Sequence, residues 1–119
     1  MPQSAVLPRP ENLFAPLVVP STGEDVETLL ASGCVRIERI ASSSHPKPTL
    51  YDQDGDEWVL LLQGESTLEL NGMPVSLRAG DHLTIPAHLP HRVLATSDDP
   101  HCIWLAVHLL PQAEATGAT

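Results

Sequence analysis

Turn-forming residues interrupt the second half of this chain so often that only short segments remain between them. The breaks consist of glycine, proline and small polar residues, at Gly64, Asn71-Gly72, Ala79-Gly80, Pro86–Pro90 and Ser97–Pro100. Their spacing approaches the roughly 8–12 residues per strand that is typical of β-sandwiches and barrels. Asn71-Gly72 predicts a type I′ hairpin, because both central residues of that turn need a positive φ. The pattern therefore predicts an all-β domain with strands over 35–40, 58–63, 66–70, 74–77, 82–85, 92–96 and 102–110.

The segment before the first of these strands has a different character. Its many prolines remove backbone donors and fix φ, so residues 1–22 are predicted to form an extended arm. An N-cap pattern at Ser21, an acidic first turn and an apolar stripe then predict one short helix over 23–31. The chain is thus expected to comprise the arm, a single domain over 23–111 and a C-terminal tail over 112–119.

Composition excludes several classes of partner. Six Lys and Arg residues stand against fifteen Asp and Glu residues, which gives a formal net charge of −9. Such a charge repels a phosphate backbone, so no nucleic-acid partner is expected. No apolar run approaches the roughly 20 residues that cross a membrane, so no membrane partner is expected either. Two cysteines are too few for a disulfide framework, and we expect a reducing, cytoplasmic location.

The stretch from Glu57 to His91 carries two motifs in a particular order. Glu57 is followed by six residues and then Gly64, and the run GDHLTIPAHLPH begins at Gly80 and ends at His91. This arrangement resembles the two motifs of the cupin family, whose usual site holds a divalent metal with three imidazoles and one carboxylate. The resemblance implies a double-stranded β-helix, or jelly-roll barrel, with its ligand site in the lumen.

The first motif departs from the family pattern. Tyr51 and Gln53 occupy the positions at which the family has a His-x-His pair. An amide oxygen is a weaker ligand for a transition metal than an imidazole, so Gln53 would bind a metal less tightly than the usual histidine. The resemblance still implies a site in the lumen, and a divalent metal bound there could be zinc, nickel, manganese or iron. The candidate metal ligands are Glu57, His91, Gln53 and His108. The candidate pocket residues are Tyr51, His88 and Trp104.

The last strand adds two of these candidates. Alternation along 102–110 places Trp104 and His108 on the same face. In the cupin topology this strand ends beside the start of the strand that begins with Glu57, so His108 is expected at the same end of the barrel as Glu57. The pattern leaves open whether their face lines the lumen or points outward.

Three functions of different classes fit these residues. The first is a metal-dependent enzyme acting on a small molecule, and the second is a cupin that binds or senses a small molecule without chemistry. The third is a purely structural barrel, and no catalytic residue is assigned in any of the three. Apolar residues over 13–19, together with a strand over 58–62 that is apolar on both faces, predict a two-fold homodimer.

Overall fold

The computed structural model describes residues 6–111, which form eight β-strands and no α-helix. The strands are β1 (Glu24–Ser32), β2 (Val35–Ser42), β3 (Asp56–Gln63), β4 (Glu65–Leu70), β5 (Met73–Arg78), β6 (His82–Ile85), β7 (His91–Thr96) and β8 (Cys102–Leu109). Each predicted strand is present. Within the described range, no helix is long and apolar enough to cross a membrane.

The strands form two antiparallel sheets that pack against each other. The larger sheet has the order β1-β2-β8-β3-β6, and the smaller has the order β5-β4-β7. Leu61 and Trp104 from the larger sheet share one core cluster with Leu68 and Leu77 from the smaller sheet. Burying these side chains holds the sheets together, and the predicted all-β jelly-roll fold is confirmed.

The predicted helix over 23–31 is wrong, because this segment is strand β1. It pairs antiparallel with β2 from Glu24↔Ser42 to Ser32↔Val35, with a bulge between Thr28 and Leu30. The N-cap pattern is a weak local preference, and the ladder of backbone hydrogen bonds to β2 outweighs it. Gly33, with a φ of 57°, closes the hairpin between the two strands.

Two glycines occupy positions that other residues adopt only with strain. Asn71 and Gly72 have φ values of 50° and 84° between β4 and β5, which confirms the predicted type I′ hairpin. Gly64, between β3 and β4, has a φ of 93°. A Cβ at Gly64 would lie only 2.8 Å from the Sγ of Cys102, so the turn also needs glycine for space.

A buried arginine ties part of the predicted arm to the larger sheet. Arg39 on β2 is 7% exposed, and its Nη1 donates hydrogen bonds to the carbonyls of Leu13 (3.3 Å) and Pro16 (3.0 Å). Its Nη2 lies 3.1 Å from a carboxylate oxygen of Glu27 on β1. The division of the chain into arm, domain and tail stays a prediction, and its predicted tail, 112–119, lies outside the described residues.

Candidate functional site

The two sheets enclose a cavity of about 270 Å³ at the end of the barrel where β3 and β7 begin. Apolar side chains from both sheets form much of its wall, including Ile40, Val59, Leu68, Val93 and Trp104. The remaining wall is polar and strongly acidic, with Glu24, Arg36, Glu38, Tyr51, Gln53, Glu57, His91 and His108. The cavity thus joins an apolar body to a charged cluster, which is the usual composition of a small-molecule site.

The register between β3 and β8 brings two predicted site residues together. Glu57 lies directly opposite His108 in the ladder, and Leu61 lies opposite Trp104. Alternation places His108 and Trp104 on one face of β8, and both line the cavity. They are 7% and 4% exposed, respectively.

His91 reaches the same cavity from the smaller sheet. It opens β7 and exchanges two backbone hydrogen bonds with Tyr51, at 2.7 and 2.9 Å. The two rings stack with their centroids 5.6 Å apart. The His91 Nδ1 lies 2.9 Å from the carbonyl oxygen of Leu89 and must carry a hydrogen, since a carbonyl can only accept. This contact directs the opposite ring nitrogen, Nε2, towards Glu57.

The Glu57 carboxylate lies between the two imidazoles and receives a hydrogen bond from neither. Its Oε1 is 3.7 Å from Nε2 of His91, and its Oε2 is 3.9 Å from Nε2 of His108. No donor within residues 6–111 hydrogen-bonds this carboxylate, although Glu57 is only 7% exposed. Burial raises the pKa of Glu57 above its ordinary value of 4.5, and the attraction of His108 and His91 offsets part of that rise.

Two lining residues on β2, Arg36 and Glu38, were missed by the sequence analysis. The Glu38 Oε2 accepts a hydrogen bond from Arg36 Nε, and its Oε1 accepts one from His108 Nε2, both at 2.9 Å. Glu24 on β1, which is an exposed residue, also lines the cavity. The available signal was the alternation of β2, which places Arg36 and Glu38 on the same face as the apolar Ile40.

Two other candidates, Gln53 and His88, lie in neighbouring loops, but of these two residues only Gln53 lines the cavity. Gln53 lines the cavity, and its carbonyl accepts a hydrogen bond from the backbone of His88 at 2.7 Å. The His88 side chain is not part of the cavity wall. It has a φ of 63°, is 65% exposed and pairs through Nδ1 with Asp52 at 2.9 Å. The structure therefore places His88 outside the pocket that it was expected to line.

The donors suit a divalent metal in kind but not in their present arrangement. Two imidazoles and a carboxylate, from His91, His108 and Glu57, are a common ligand set for divalent iron and related ions. Among residues 6–111, however, no three His, Cys, Asp or Glu side chains stand in metal-ligand geometry. His108 donates to Glu38 instead, and it would have to release that carboxylate to share an ion with Glu57.

Comparison with known proteins agrees with the fold. The model of the cupin domain family matches residues 38–108. A protein from Ralstonia eutropha JMP134, provisionally described as a mannose-6-phosphate isomerase, is 38% identical, with a TM-score of 0.76 over 87% of this chain and 100% of its own. A cupin superfamily protein from Desulfitobacterium hafniense DCB-2 is 23% identical, with a TM-score of 0.75 over 89% of this chain and 94% of its own.

A third similar structure, KdgF from Halomonas sp., is 18% identical and has a TM-score of 0.65 over 75% of this chain and 81% of its own. A comparison with curated protein sequences gave no match. The family match spans more than half of the chain and includes Glu57, His91 and His108. The chain belongs to the cupin domain family.

Proposed function

We propose that this chain binds a small organic molecule in its cavity, with the polar part of that molecule held by Glu57, His91 and His108. The observation that carries the proposal is the buried Glu57 carboxylate, which faces the cavity without a hydrogen-bond donor from the described residues. A carboxylate that is largely removed from water and has no donor from the protein is costly, and a ligand that donates to it removes that cost. The cavity volume is close to the lower end of the about 300–1,000 Å³ typical of small-molecule sites.

The two tryptophans provide an internal comparison for a binding test. Trp104 lines the cavity and donates its indole N–H to Ser42, whereas Trp58 packs against His82 and is not part of the cavity wall. A ligand in the cavity should shift the indole N–H resonance of Trp104 and leave that of Trp58 in place. Val93→Phe, which fills part of the cavity, should abolish the shift while the remaining spectrum stays folded. Equal shifts at both tryptophans would contradict binding in the cavity.

A divalent metal is the second candidate ligand, and the orientation of His91 favours it. A metal-bound imidazole usually donates its other ring N–H to a carbonyl or carboxylate, as His91 does to Leu89. Glu57 and His108 would complete the ligand set, and a bound metal would act as a Lewis acid towards a carbonyl. Calorimetry with zinc, nickel and manganese should show tight binding that His91→Ala abolishes. Equally weak binding by both proteins, with a Kd above about 1 mM, would exclude this candidate.

The cavity lining does not favour a phosphorylated sugar of the kind named for the Ralstonia protein. A phosphorylated sugar needs cationic groups for its phosphate. Arg36 is the permanent cation among the described lining residues, and its Nε already donates to Glu38. A reducing, cytoplasmic location remains a prediction from the two free thiols, Cys34 and Cys102.

We also propose that the chain forms a homodimer. Large apolar side chains remain exposed on the arm and on β1, with Val18 68% exposed, Val26 50% and Leu30 52%. Contiguous exposed apolar surface on a small protein is typical of an interaction site. Light scattering should give twice the 12.8 kDa of one chain. A monomer at micromolar concentration would contradict the dimer.

A further inference from the structure

The charges that face the cavity are not balanced. Three carboxylates, those of Glu24, Glu38 and Glu57, line it together with one permanent cation, Arg36. Glu38 uses both of its oxygens, one for Arg36 and one for His108. Among the described residues, the Glu24 carboxylate accepts a single long hydrogen bond of 3.4 Å, from the Ser42 hydroxyl. Among the described lining residues, the one permanent cation is therefore paired with Glu38, which leaves Glu24 and Glu57 without a permanent cation as partner.

Neither imidazole beside Glu57 donates a hydrogen bond to its carboxylate. The hydrogen on His91 Nδ1 points to Leu89, and Nε2 of the same ring lies 3.7 Å from Glu57 Oε1, which is too far for a hydrogen bond. The hydrogen on His108 Nε2 points to Glu38. The two oxygens of Glu57 thus face the cavity without a hydrogen-bond donor from the described residues. A group that carries several N–H donors and a positive charge satisfies both.

The rest of the cavity suits an apolar body. Ile40, Val59, Leu68 and Trp104 form its wall, and its volume is about 270 Å³. A cavity of about 150 Å³ with apolar walls accommodates benzene, so this one has room for a six-membered ring and a short head group. Apolar surroundings also strengthen the attraction between a buried carboxylate and a cation.

Resting on the proposed function, we propose that the molecule bound in the cavity is a small organic cation. Its primary ammonium group lies against Glu57 and His91, and its apolar body lies against Trp104 and the aliphatic wall. The same unbalanced carboxylates repel a carboxylate or phosphate head group. A neutral alcohol supplies too few donors and no charge, so it binds less tightly than the ammonium.

Three probes that differ only in the head group test this charge preference: benzylamine, benzyl alcohol and benzoate. Each is titrated near neutral pH, with a chelator present to exclude metals, and binding is followed at the Trp104 indole N–H. Hydrogen bonds to charged groups contribute about 1.5–3 kcal/mol, so benzylamine should bind roughly 10–100-fold more tightly than benzyl alcohol. Benzoate should bind more weakly than either.

A matched pair of variants assigns the preference to one carboxylate. Glu57→Gln removes the charge in the cavity and should reduce benzylamine binding to the level of benzyl alcohol. Glu65→Gln removes a charge from an exposed glutamate outside the cavity and should leave the preference unchanged.

Each outcome bears on a separate claim. If benzoate or benzyl alcohol binds as tightly as benzylamine, the ammonium proposal is overturned while binding in the cavity stands. If Glu57→Gln keeps the amine preference, Glu57 is not the partner and the proposal is wrong as stated. If none of the three probes shifts the Trp104 signal, the proposed function itself fails, and this inference fails with it.

Discussion

Replacing Glu57 by glutamine should stabilise the fold at neutral pH. The side chain is 7% exposed and its carboxylate receives no hydrogen bond from the described residues, so its charge is buried with little compensation. A fully buried unsatisfied polar group costs about 1–3 kcal/mol, and the Glu57 oxygens, which remain accessible from the cavity, should cost less than a fully buried charge. Glutamine has the same shape as glutamate and, as a polar group, keeps part of the cost of burial. The attraction of His108 and His91 already compensates part of the cost of the charge in the wild type, so the gain from removing it is limited. We therefore expect the free energy of unfolding to rise by about 1–2 kcal/mol.

The raised pKa of Glu57 determines how the stability of the wild type should change with pH. Because burial raises the pKa of Glu57 above 4.5, the folded state holds this proton more tightly than the unfolded chain. Stability of the wild type therefore falls as pH rises from about 4.5 through the folded-state pKa. The advantage of Glu57→Gln should be largest near pH 7 and should shrink towards pH 4.5.

Urea denaturation followed by tryptophan fluorescence measures both quantities. The wild type, Glu57→Gln and the exposed-site control Glu65→Gln are compared near pH 7 and near pH 4.5. The control should match the wild type, because Glu65 is exposed. A Glu57→Gln protein less stable than the wild type near pH 7 would refute the reasoning, since it would mean that the carboxylate is well paired. An advantage independent of pH would refute the titration argument.

Two further stability predictions follow from backbone conformation and packing. Gly72→Ala should lower the free energy of unfolding by about 1–3 kcal/mol, because alanine is strained at a positive φ. Gly64→Ala should lower it further, because the new Cβ also meets Cys102 at 2.8 Å. Thermal unfolding of the two variants checks this order, and equal losses of stability would contradict it. Leu61→Ala should cost about 2–5 kcal/mol because Leu61 is fully buried; a loss below 1 kcal/mol in a urea titration would mean that the core repacks around the gap.

Local chemistry explains why most of the fold could be predicted from the sequence. The Asn71-Gly72 turn needs positive φ at both residues whatever surrounds it, and the breaks on either side of β6 bound that strand at the predicted residues. The helix prediction failed at β1 for the opposite reason. Its signals were local as well, but the backbone hydrogen bonds that override them come from β2.

The site was predictable only where it coincides with the motifs or with strand alternation. Glu57 and His91 have fixed spacing in the sequence, and alternation of β8 located His108 relative to Trp104. Glu38 belongs to neither motif, and the hydrogen bond that brings it into the site joins residues 70 positions apart. Alternation of β2 indicates which face Glu38 occupies, but no spacing rule reports its contact with β8. His88 shows the converse, because a residue inside a motif turns its side chain out of the cavity to pair with Asp52.

The proposed ligand should change the stability of the wild type relative to that of Glu57→Gln, because it binds the carboxylate that the variant lacks. Glu57→Gln is predicted to bind benzylamine about 10–100-fold more weakly than the wild type, so saturating benzylamine should favour the wild type by about 1.4–2.7 kcal/mol. This is similar to or larger than the about 1–2 kcal/mol that the variant should gain without ligand. Saturating benzylamine should therefore cancel or reverse the stability advantage of the variant. Unfolding of both proteins with and without benzylamine measures this directly. If the variant keeps its full advantage at saturation, the ammonium ligand does not bind the Glu57 carboxylate.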